Sequence, residues 1–267
     1  MQSNLNTNSV FFIGPCSMES REITIEIAGE LKRISEKLKI NVVFKSSFDK
    51  ANRTSFSSYR SLGLQKGLNL LSEIKSQFSM KLITDVHETS QVAEVAEIVD
   101  VIQVPAFLCR QTDLLIACGK SNKEINIKKG QFMAPEDMRY SVEKVMAGRT
   151  DFLDRSIYVT ERGTTFGYHN LVVDMRSLPI MRQFSKCIFD VTHSTQRPGA
   201  LDGASGGDRK WAPVLARAAA AVGVDGYFIE THPQPERALS DGPLMIPLNE
   251  LEELLTQLIQ IENSINA

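Results

Sequence analysis

One pattern repeats eight times along the 267-residue chain: a short apolar run, a polar or glycine-containing turn, and then, in most repeats, a segment with helical spacing. Apolar residues are nearly continuous within most of the runs, which predicts parallel strands buried on both faces. The runs are VFFIGPC from Val10, NVVFKSS from Asn41, KLITDV from Lys81, VIQVPA from Val101, EINIKKG from Glu124, SIYVTER from Ser156, KCIFDVTH from Lys186 and GYFIETH from Gly226.

The segments between the runs have the spacing of amphipathic helices. In residues 21–39, Ile23, Ile27, Leu31, Ile34 and Leu38 recur at steps of three and four, so they form one apolar stripe that can pack on a sheet. The same reasoning predicts helices over residues 91–99, 112–120, 136–147, 208–222 and 249–263.

Strict alternation of strand and helix predicts an α/β protein with a parallel sheet, and eight units of about 30 residues fit a closed (β/α)8 TIM barrel. We predict one domain over residues 1–267, with an N-terminal strand extension. An open, doubly wound sheet is the alternative, but it usually has fewer strands and a glycine-rich first turn, whereas the first turn here reads GPCSMES. The longest connections follow strands two, seven and eight and are candidate active-site loops.

Composition limits the classes of partner. A net charge of −2 argues against a nucleic-acid partner, which usually requires a basic face. The sequence contains no apolar run long enough to cross a bilayer and no secretory leader at its N-terminus, so we expect no membrane partner and a cytoplasmic location.

Ionisable and polar residues gather where the predicted strands end. In a barrel these carboxyl ends meet at the active site, and buried charges are tolerated there only when they are paired or functional. The residues at or just after the eight ends are Cys16, Lys45, Ser47, Lys50, Asp85, His87, Gln103, Lys128, Arg162, Asp190, His193, Glu230 and His232.

Two groups can be separated by chemical type. The cations Lys45, Lys50, Arg53, Lys128 and Arg162 come from different strand ends or the loops after them, which suits a ligand with several negative charges.

Cys16, His193, Glu230 and Asp241 form the second group, which offers a thiolate, an imidazole and two carboxylates. Such a set suits Zn²⁺, Fe²⁺ or Mn²⁺ better than Mg²⁺. No short motif connects the four, so a second interpretation stays open, in which Cys16 packs in the core and His193 binds phosphate.

Several long segments closely resemble the 3-deoxy-D-manno-octulosonate 8-phosphate synthase family. They cover most of the chain in order: FKSSFDKANRTS (44–55), ITDVHE (83–88), QVPAFLCRQTDLL (103–115), IKKGQF (127–132), ERGTTFGY (161–168), NLVVDMRSLPIM (170–181), DVTHS (190–194) and FIETHPQPERALSDGP (228–243). The related synthases that use erythrose 4-phosphate have a proline-arginine motif where this chain has Ala51-Asn52-Arg53.

The resemblance implies a transferase of lipopolysaccharide (KDO) biosynthesis that joins phosphoenolpyruvate to D-arabinose 5-phosphate, and it implies a homotetramer. It assigns Lys45, Ser47 and Lys50 to the carboxylate end of phosphoenolpyruvate, and the backbone of Ala106, Lys128 and Arg162 to its phosphate. It assigns the acceptor sugar to Asn52, Arg53 and Thr54, although Thr54 stands where relatives often have serine. Lys50, Asn52, Asp85 and His193 are the predicted catalytic residues, with Gln103 beside them.

A cysteine after the glycine-proline turn marks the metal-dependent branch of that family, and this chain reads Gly14-Pro15-Cys16. The resemblance therefore implies a divalent ion, Zn²⁺, Fe²⁺ or Mn²⁺, on Cys16, His193, Glu230 and Asp241.

Three other functions remain as alternatives. They are the sister synthase acting on erythrose 4-phosphate, a metal-dependent barrel hydrolase, and a sugar-phosphate-binding protein without activity.

Overall fold

The computed structural model describes residues 7–53, 55–150, 156–201 and 204–265. The strands are β1 (Val10–Gly14), β2 (Asn41–Lys45), β3 (Lys81–Asp85), β4 (Val101–Val104), β5 (Glu124–Lys128), β6 (Ile157–Glu161), β7 (Lys186–Asp190), β8 (Gln196–Leu201), β9 (Ala204–Gly207), β10 (Gly226–His232) and β11 (Ile246–Pro247). The α-helices are α1 (Arg21–Leu38), α2 (Leu64–Phe78), α3 (Val92–Ile98), α4 (Thr112–Lys120), α5 (Met138–Gly148), α6 (Ser177–Met181), α7 (Ala212–Val222) and α8 (Leu248–Ile265).

Strands β1 to β7 and β10 are parallel neighbours in chain order, and β10 pairs with β1, which closes the sheet into a barrel. The closing register places Val10 beside Gly226 and Gly14 beside Glu230. The predicted (β/α)8 TIM barrel is therefore confirmed. The N-terminal strand extension falls largely on residues 1–6, outside the described residues, and residues 7–9 form no strand.

Two additions lie outside the eight predicted strands. β8 and β9 form an antiparallel hairpin after β7, and β11 adds two residues beside the end of β10. Both belong to the long connections at the carboxyl end of the barrel, the end predicted to carry the active site.

Side chains alternate along the strands and so divide the core into two layers. Phe11 and Ile13 face the layer between the barrel and its helices, whereas Phe12 belongs to the barrel interior. The interior cluster consists of Val10, Phe12, Val43, Ile83, Val101, Tyr158, Ile188 and Phe228. Because apolar residues fill much of the interior, the polar residues of the strands collect towards the carboxyl ends.

The six predicted helices are present, most of them with ends shifted by one or two residues, and α7 begins four residues later than predicted. The structure adds α2 and α6, which the sequence pattern did not single out. In α2, Gly67 lowers helix propensity, but a Cβ there would lie 2.4 Å from the Cβ of Phe48. Close packing on the loop after β2 therefore requires this glycine. None of the helices in the described part of the chain is long and apolar enough to span a bilayer.

Candidate active site at the carboxyl end of the barrel

A cavity of about 660 Å³ opens at the carboxyl ends of the strands. The predicted site residues that line it are Lys45, Lys50, Asn52, Arg53, Asp85, Gln103, Ala106, Lys128, Arg162, His193 and Asp241. Cys16, Ser47 and Glu230 do not line it, but each contacts a residue that does. Thr54 lies outside the described residues.

Two buried cations from neighbouring strands form one wall of this cavity. The Nζ of Lys128 pairs with Asp190 and lies 3.3 Å from the ring centroid of Phe228. Arg162 donates through Nη2 to Gln196 Oε1 at 2.8 Å, while its buried Nη1 has no hydrogen-bond partner among the described residues. A buried guanidinium nitrogen without a partner favours an anionic ligand, because leaving it unpaired is costly.

Asp190 connects this wall to His193. Its carboxylate accepts the backbone N–H groups of Thr192 at 3.1 Å and His193 at 2.9 Å, and its Oδ2 lies 2.8 Å from His193 Nδ1. Burial alone would raise the pKa of Asp190, but His193 and Lys128 lower it well below its usual range. Asp190 therefore stays ionised and fixes the imidazole, so that Nε2 is the nitrogen left for another partner. That nitrogen lies 3.5 Å from Glu230 Oε2.

Cys16, Glu230 and Asp241 form a candidate metal site. One ligand atom from each lies within 4.8 Å of the others. The Cys16 thiol donates to Asp241 Oδ2 at 3.0 Å and lies 2.8 Å from Ser240 Oγ. Burial raises the pKa of this thiol well above its ordinary value, and the two carboxylates raise it further.

Glu230 completes that group and still has an unused oxygen. Its Oε1 accepts from Lys45 Nζ at 2.7 Å, whereas its buried Oε2 has no hydrogen-bond partner in the described part of the chain. Burial would raise the pKa of Glu230, but His193 and Lys45 lower it well below the usual range. His193 is not a member of the group of three, although its Nε2 points towards the same carboxylate.

A chain of hydrogen bonds connects side chains of four neighbouring strands, from β6 through β5 and β4 to β3. Thr160 Oγ1 donates to Asn126 Oδ1 at 2.6 Å, and Asn126 Nδ2 donates to Gln103 Oε1 at 2.8 Å. Gln103 Nε2 then donates to Asp85, whose other oxygen accepts from Ser47 Oγ at 2.6 Å. The single proton of Ser47 is therefore used by Asp85, so a direct bond from Ser47 to a substrate carboxylate would require this proton to be released.

Two neighbouring lysines keep Asp85 ionised as a carboxylate. Burial would raise its pKa, but Lys45 and Lys50 lower it to about 2. The roles of Asn126 and Thr160 were not predicted, since one lies in the middle of a strand and the other is an ordinary strand threonine. Their signal in the sequence is a polar residue inside an otherwise apolar run, which needs a partner when it is buried.

The loop after β2 brings Arg53 across the cavity mouth to the loop after β10. Arg53 Nε donates to the carbonyl of Tyr59 at 3.1 Å, and its Nη2 donates to Ser240 Oγ. Its Nη1 lies 4.0 Å from Asp241 Oδ1. Asn52 is exposed beside it on the cavity wall. Arg53, a predicted contact to the acceptor sugar, and the predicted metal ligand Asp241 are therefore neighbours.

The closed barrel and the buried charges at its carboxyl end define a (β/α)8-barrel enzyme with a cavity suited to anionic substrates. Comparison with known proteins agrees with this class, because residues 5–267 match the family described as "DAHP synthetase I family". The chain belongs to the DAHP synthetase I family.

Several curated relatives match nearly the whole chain, and each is described as 2-dehydro-3-deoxyphosphooctonate aldolase. The protein from Helicobacter hepaticus is 57% identical over 261 residues, covering 95% of this chain and 97% of the relative. The protein from Wolinella succinogenes is 54% identical, with 94% and 98% covered. One from Campylobacter jejuni is 51% identical, with 96% and 97% covered.

Proposed function

We propose that this enzyme condenses phosphoenolpyruvate with D-arabinose 5-phosphate and water, giving 3-deoxy-D-manno-octulosonate 8-phosphate and inorganic phosphate. The description of the relatives as 2-dehydro-3-deoxyphosphooctonate aldolases supports this reaction. The observation that carries it is a cavity with buried cations on one wall, Lys128 and Arg162, and a separate cation, Arg53, on the loop after β2. Such a cavity can bind the anionic groups of two substrates at the same time.

Phosphoenolpyruvate occupies the wall formed by β5 and β6. Its phosphate binds the ammonium of Lys128 and the Nη1 of Arg162, which has no hydrogen-bond partner among the described residues, beside the backbone at Ala106. Its carboxylate lies towards Lys45 and Lys50, which are positioned by the end of β2 and the loop after it.

The acceptor sugar lies under the loop after β2, against Asn52 and Arg53. This loop carries Ala51-Asn52 in place of the proline motif of the erythrose 4-phosphate enzymes, which favours the five-carbon sugar. The four-carbon sugar is the second candidate substrate, because the matching family is named for DAHP synthetase. Competition between the two aldose phosphates separates these functions.

The chemistry joins C3 of phosphoenolpyruvate to the aldehyde carbon of the sugar. Positive charge develops at C2, water adds there, and the C2–O bond to phosphate breaks, releasing inorganic phosphate. The cationic wall contributes mainly by holding the two substrates face to face, an effect that can lower a barrier by about 7–11 kcal/mol. The ionised carboxylate of Asp85, fixed by Gln103 and Ser47, is suited to stabilise the positive charge.

We infer that Cys16, His193, Glu230 and Asp241 hold a divalent ion, Zn²⁺, Fe²⁺ or Mn²⁺. The fit rests on the clustering of three of these ligand atoms within 4.8 Å and on the unused, buried Oε2 of Glu230. Asp190 holds His193 Nδ1, which is the usual arrangement behind a histidine that binds metal through Nε2. Such an ion would orient the aldehyde or lower the pKa of the attacking water.

We also propose a homotetramer in the cytoplasm. Large apolar side chains are exposed on the loops after β4, β5 and β6, with Phe166 at 74% and Tyr168 at 99% exposed, which suits a contact between subunits. Phe107 lies both on this surface and in the cavity wall, so the contact would adjoin the site. The four cysteines are free and buried, which suits a reducing compartment. Light scattering on a gel-filtration column tests the assembly.

A phosphate-release assay tests the reaction. We expect release only when both substrates are present, loss of activity in chelator, and recovery when Zn²⁺, Fe²⁺ or Mn²⁺ is added back. Release without the sugar would indicate a hydrolase, and binding without release would indicate an inactive binding protein. We expect Cys16→Ala to lose activity, while Cys118→Ala, a matched change of a buried cysteine in α4, should keep it. Full activity of Cys16→Ala in chelator would disprove the metal site.

A further inference from the structure

A second buried acid and histidine lie beside the proposed metal site but do not line the cavity. Glu19 Oε1 accepts the backbone N–H of Leu239 at 2.8 Å. Glu19 Oε2 lies 3.7 Å from His232 Nε2, and the two side chains are only 5% and 4% exposed. His232 Nδ1 accepts the N–H of Gln234 at 3.0 Å, so Nε2 is the ring nitrogen that faces Glu19, and this buried nitrogen has no hydrogen-bond partner among the described residues.

The segment that carries Glu19 is firmly anchored. Met18 N donates to Ser61 Oγ at 3.1 Å, and the carbonyl of Met18 accepts from Tyr59 OH at 2.7 Å. On the other side, Ser20 caps α1 by accepting the N–H of Ile23 at 3.3 Å. The backbone on both sides of Glu19 is therefore held in place, and Glu19 lies on the same loop as Cys16.

The segment held by Glu19 needs such support. Leu239 is 55% exposed, so its side chain does little to fix the backbone. Two residues later Asp241 has φ of 52°, a left-handed conformation that costs free energy for a residue other than glycine and persists only where the surroundings impose it. This strained residue is the one whose carboxylate lies 3.0 Å from Cys16 Sγ.

The other side-chain contacts described for Ser240 and Asp241 come from residues with proposed ligand or substrate roles. They come from Cys16, a proposed ligand, and from Arg53, a proposed contact to the sugar phosphate. Arg53 has to redirect its hydrogen bonds when it binds substrate, and the thiol has to lose its proton when it binds metal. The bond from Leu239 N–H to Glu19 can persist through both changes.

We propose that Glu19 is a positioning residue for the metal site: its carboxylate fixes residues 239–241 so that Asp241 stays within ligand distance of Cys16 and Glu230. This inference rests on the proposed divalent ion. Glu19 itself contributes no ligand, and its effect passes through the backbone of Leu239.

Ion affinity tests the proposal, measured on the full chain by competition with a chromophoric chelator for Co²⁺ and Zn²⁺. Removing a partner that orients a ligand typically weakens metal binding about 10- to 100-fold, and we expect that loss for Glu19→Ala. Glu19→Gln retains an oxygen for the Leu239 N–H, although its amide NH2 then faces His232, so it should lose clearly less affinity than Glu19→Ala. Glu26→Ala, an exposed glutamate on α1, is the control and should have no effect. Excess metal should restore the activity of Glu19→Ala.

Unchanged affinity in Glu19→Ala, or equal losses in the Gln and Ala variants, would overturn the positioning role. If Glu19→Ala does not fold, as judged by circular dichroism, Glu19→Asp replaces it, because a side chain shorter by one methylene no longer reaches Leu239. Unchanged affinity there would equally overturn the role. Failure of the proposed metal site looks different: the unchanged protein would bind no ion, or Cys16→Ala would bind it as tightly.

Discussion

Lys128 and Lys129 are adjacent lysines that allow a controlled test of the proposed phosphate wall. Lys128 pairs with Asp190 and lines the active-site cavity, whereas Lys129 lies 3.5 Å from Glu161 Oε1 and lines a separate cavity of about 370 Å³. Both are nearly fully buried, and they face opposite sides because side chains alternate along a strand. Changing each to Met removes the charge and keeps most of the volume.

Both changes should destabilise the fold by similar amounts. Breaking a buried ion pair by removing one partner costs about 3–5 kcal/mol, and the lower value applies here because each carboxylate retains backbone N–H donors. Asp190 keeps Thr192 N and His193 N, while Glu161 keeps Gly163 N at 2.7 Å. A loss of about 3 kcal/mol lowers the melting temperature of a chain of this size by about 6–12 °C.

Only Lys128→Met should impair the reaction strongly. A hydrogen bond to a charged group contributes about 1.5–3 kcal/mol, so loss of the contact to phosphate should lower kcat/KM for phosphoenolpyruvate about 10- to 150-fold. Phosphate release at varied phosphoenolpyruvate, below both melting temperatures, gives this ratio, with Lys129→Met as the reference. Equal kcat/KM in the two variants would refute the assignment of Lys128 to the phosphate.

The remaining predictions concern pH and stability. Burial lowers the pKa of Lys128 to about 8 even though Asp190 opposes the shift, so its cationic form is lost above that pH. The kcat/KM for phosphoenolpyruvate should therefore fall above about pH 8. The same fall in Lys128→Met would contradict this cause. Gly67→Ala should destabilise the protein by about 1–3 kcal/mol in urea unfolding, because the added Cβ would lie 2.4 Å from the Cβ of Phe48. Unchanged stability would mean that α2 can shift. Glu262→Ala should lower the free energy of unfolding by about 1–3 kcal/mol in thermal unfolding, since Tyr227 OH, Ser9 and Thr7 lose their acceptor. Unchanged stability would show that water replaces the carboxylate.

Much of the fold could be read from local patterns. Buried parallel strands are nearly continuous apolar runs, so the ends of β1 to β7 and β10 could be located closely. Helix α2 was harder to predict, because Gly67 lowers the helix propensity of this segment. The glycine is needed for close packing against Phe48, a contact that the local sequence does not show. The hairpin of β8 and β9 has no apolar alternation, and its pairing could not be predicted from periodicity.

For the site, the strand pattern was enough to identify the residues at the strand ends, because all carboxyl ends of a barrel's strands meet at one face. The hydrogen-bond partners of these residues could be known only from the folded chain, in which Ser47 donates to Asp85 and Asp190 accepts from Lys128 and contacts His193. The role of Glu19 could not be predicted from the sequence either, since its partner Leu239 is 220 positions away. Local spacing carries no information about contacts that exist only after the chain closes on itself.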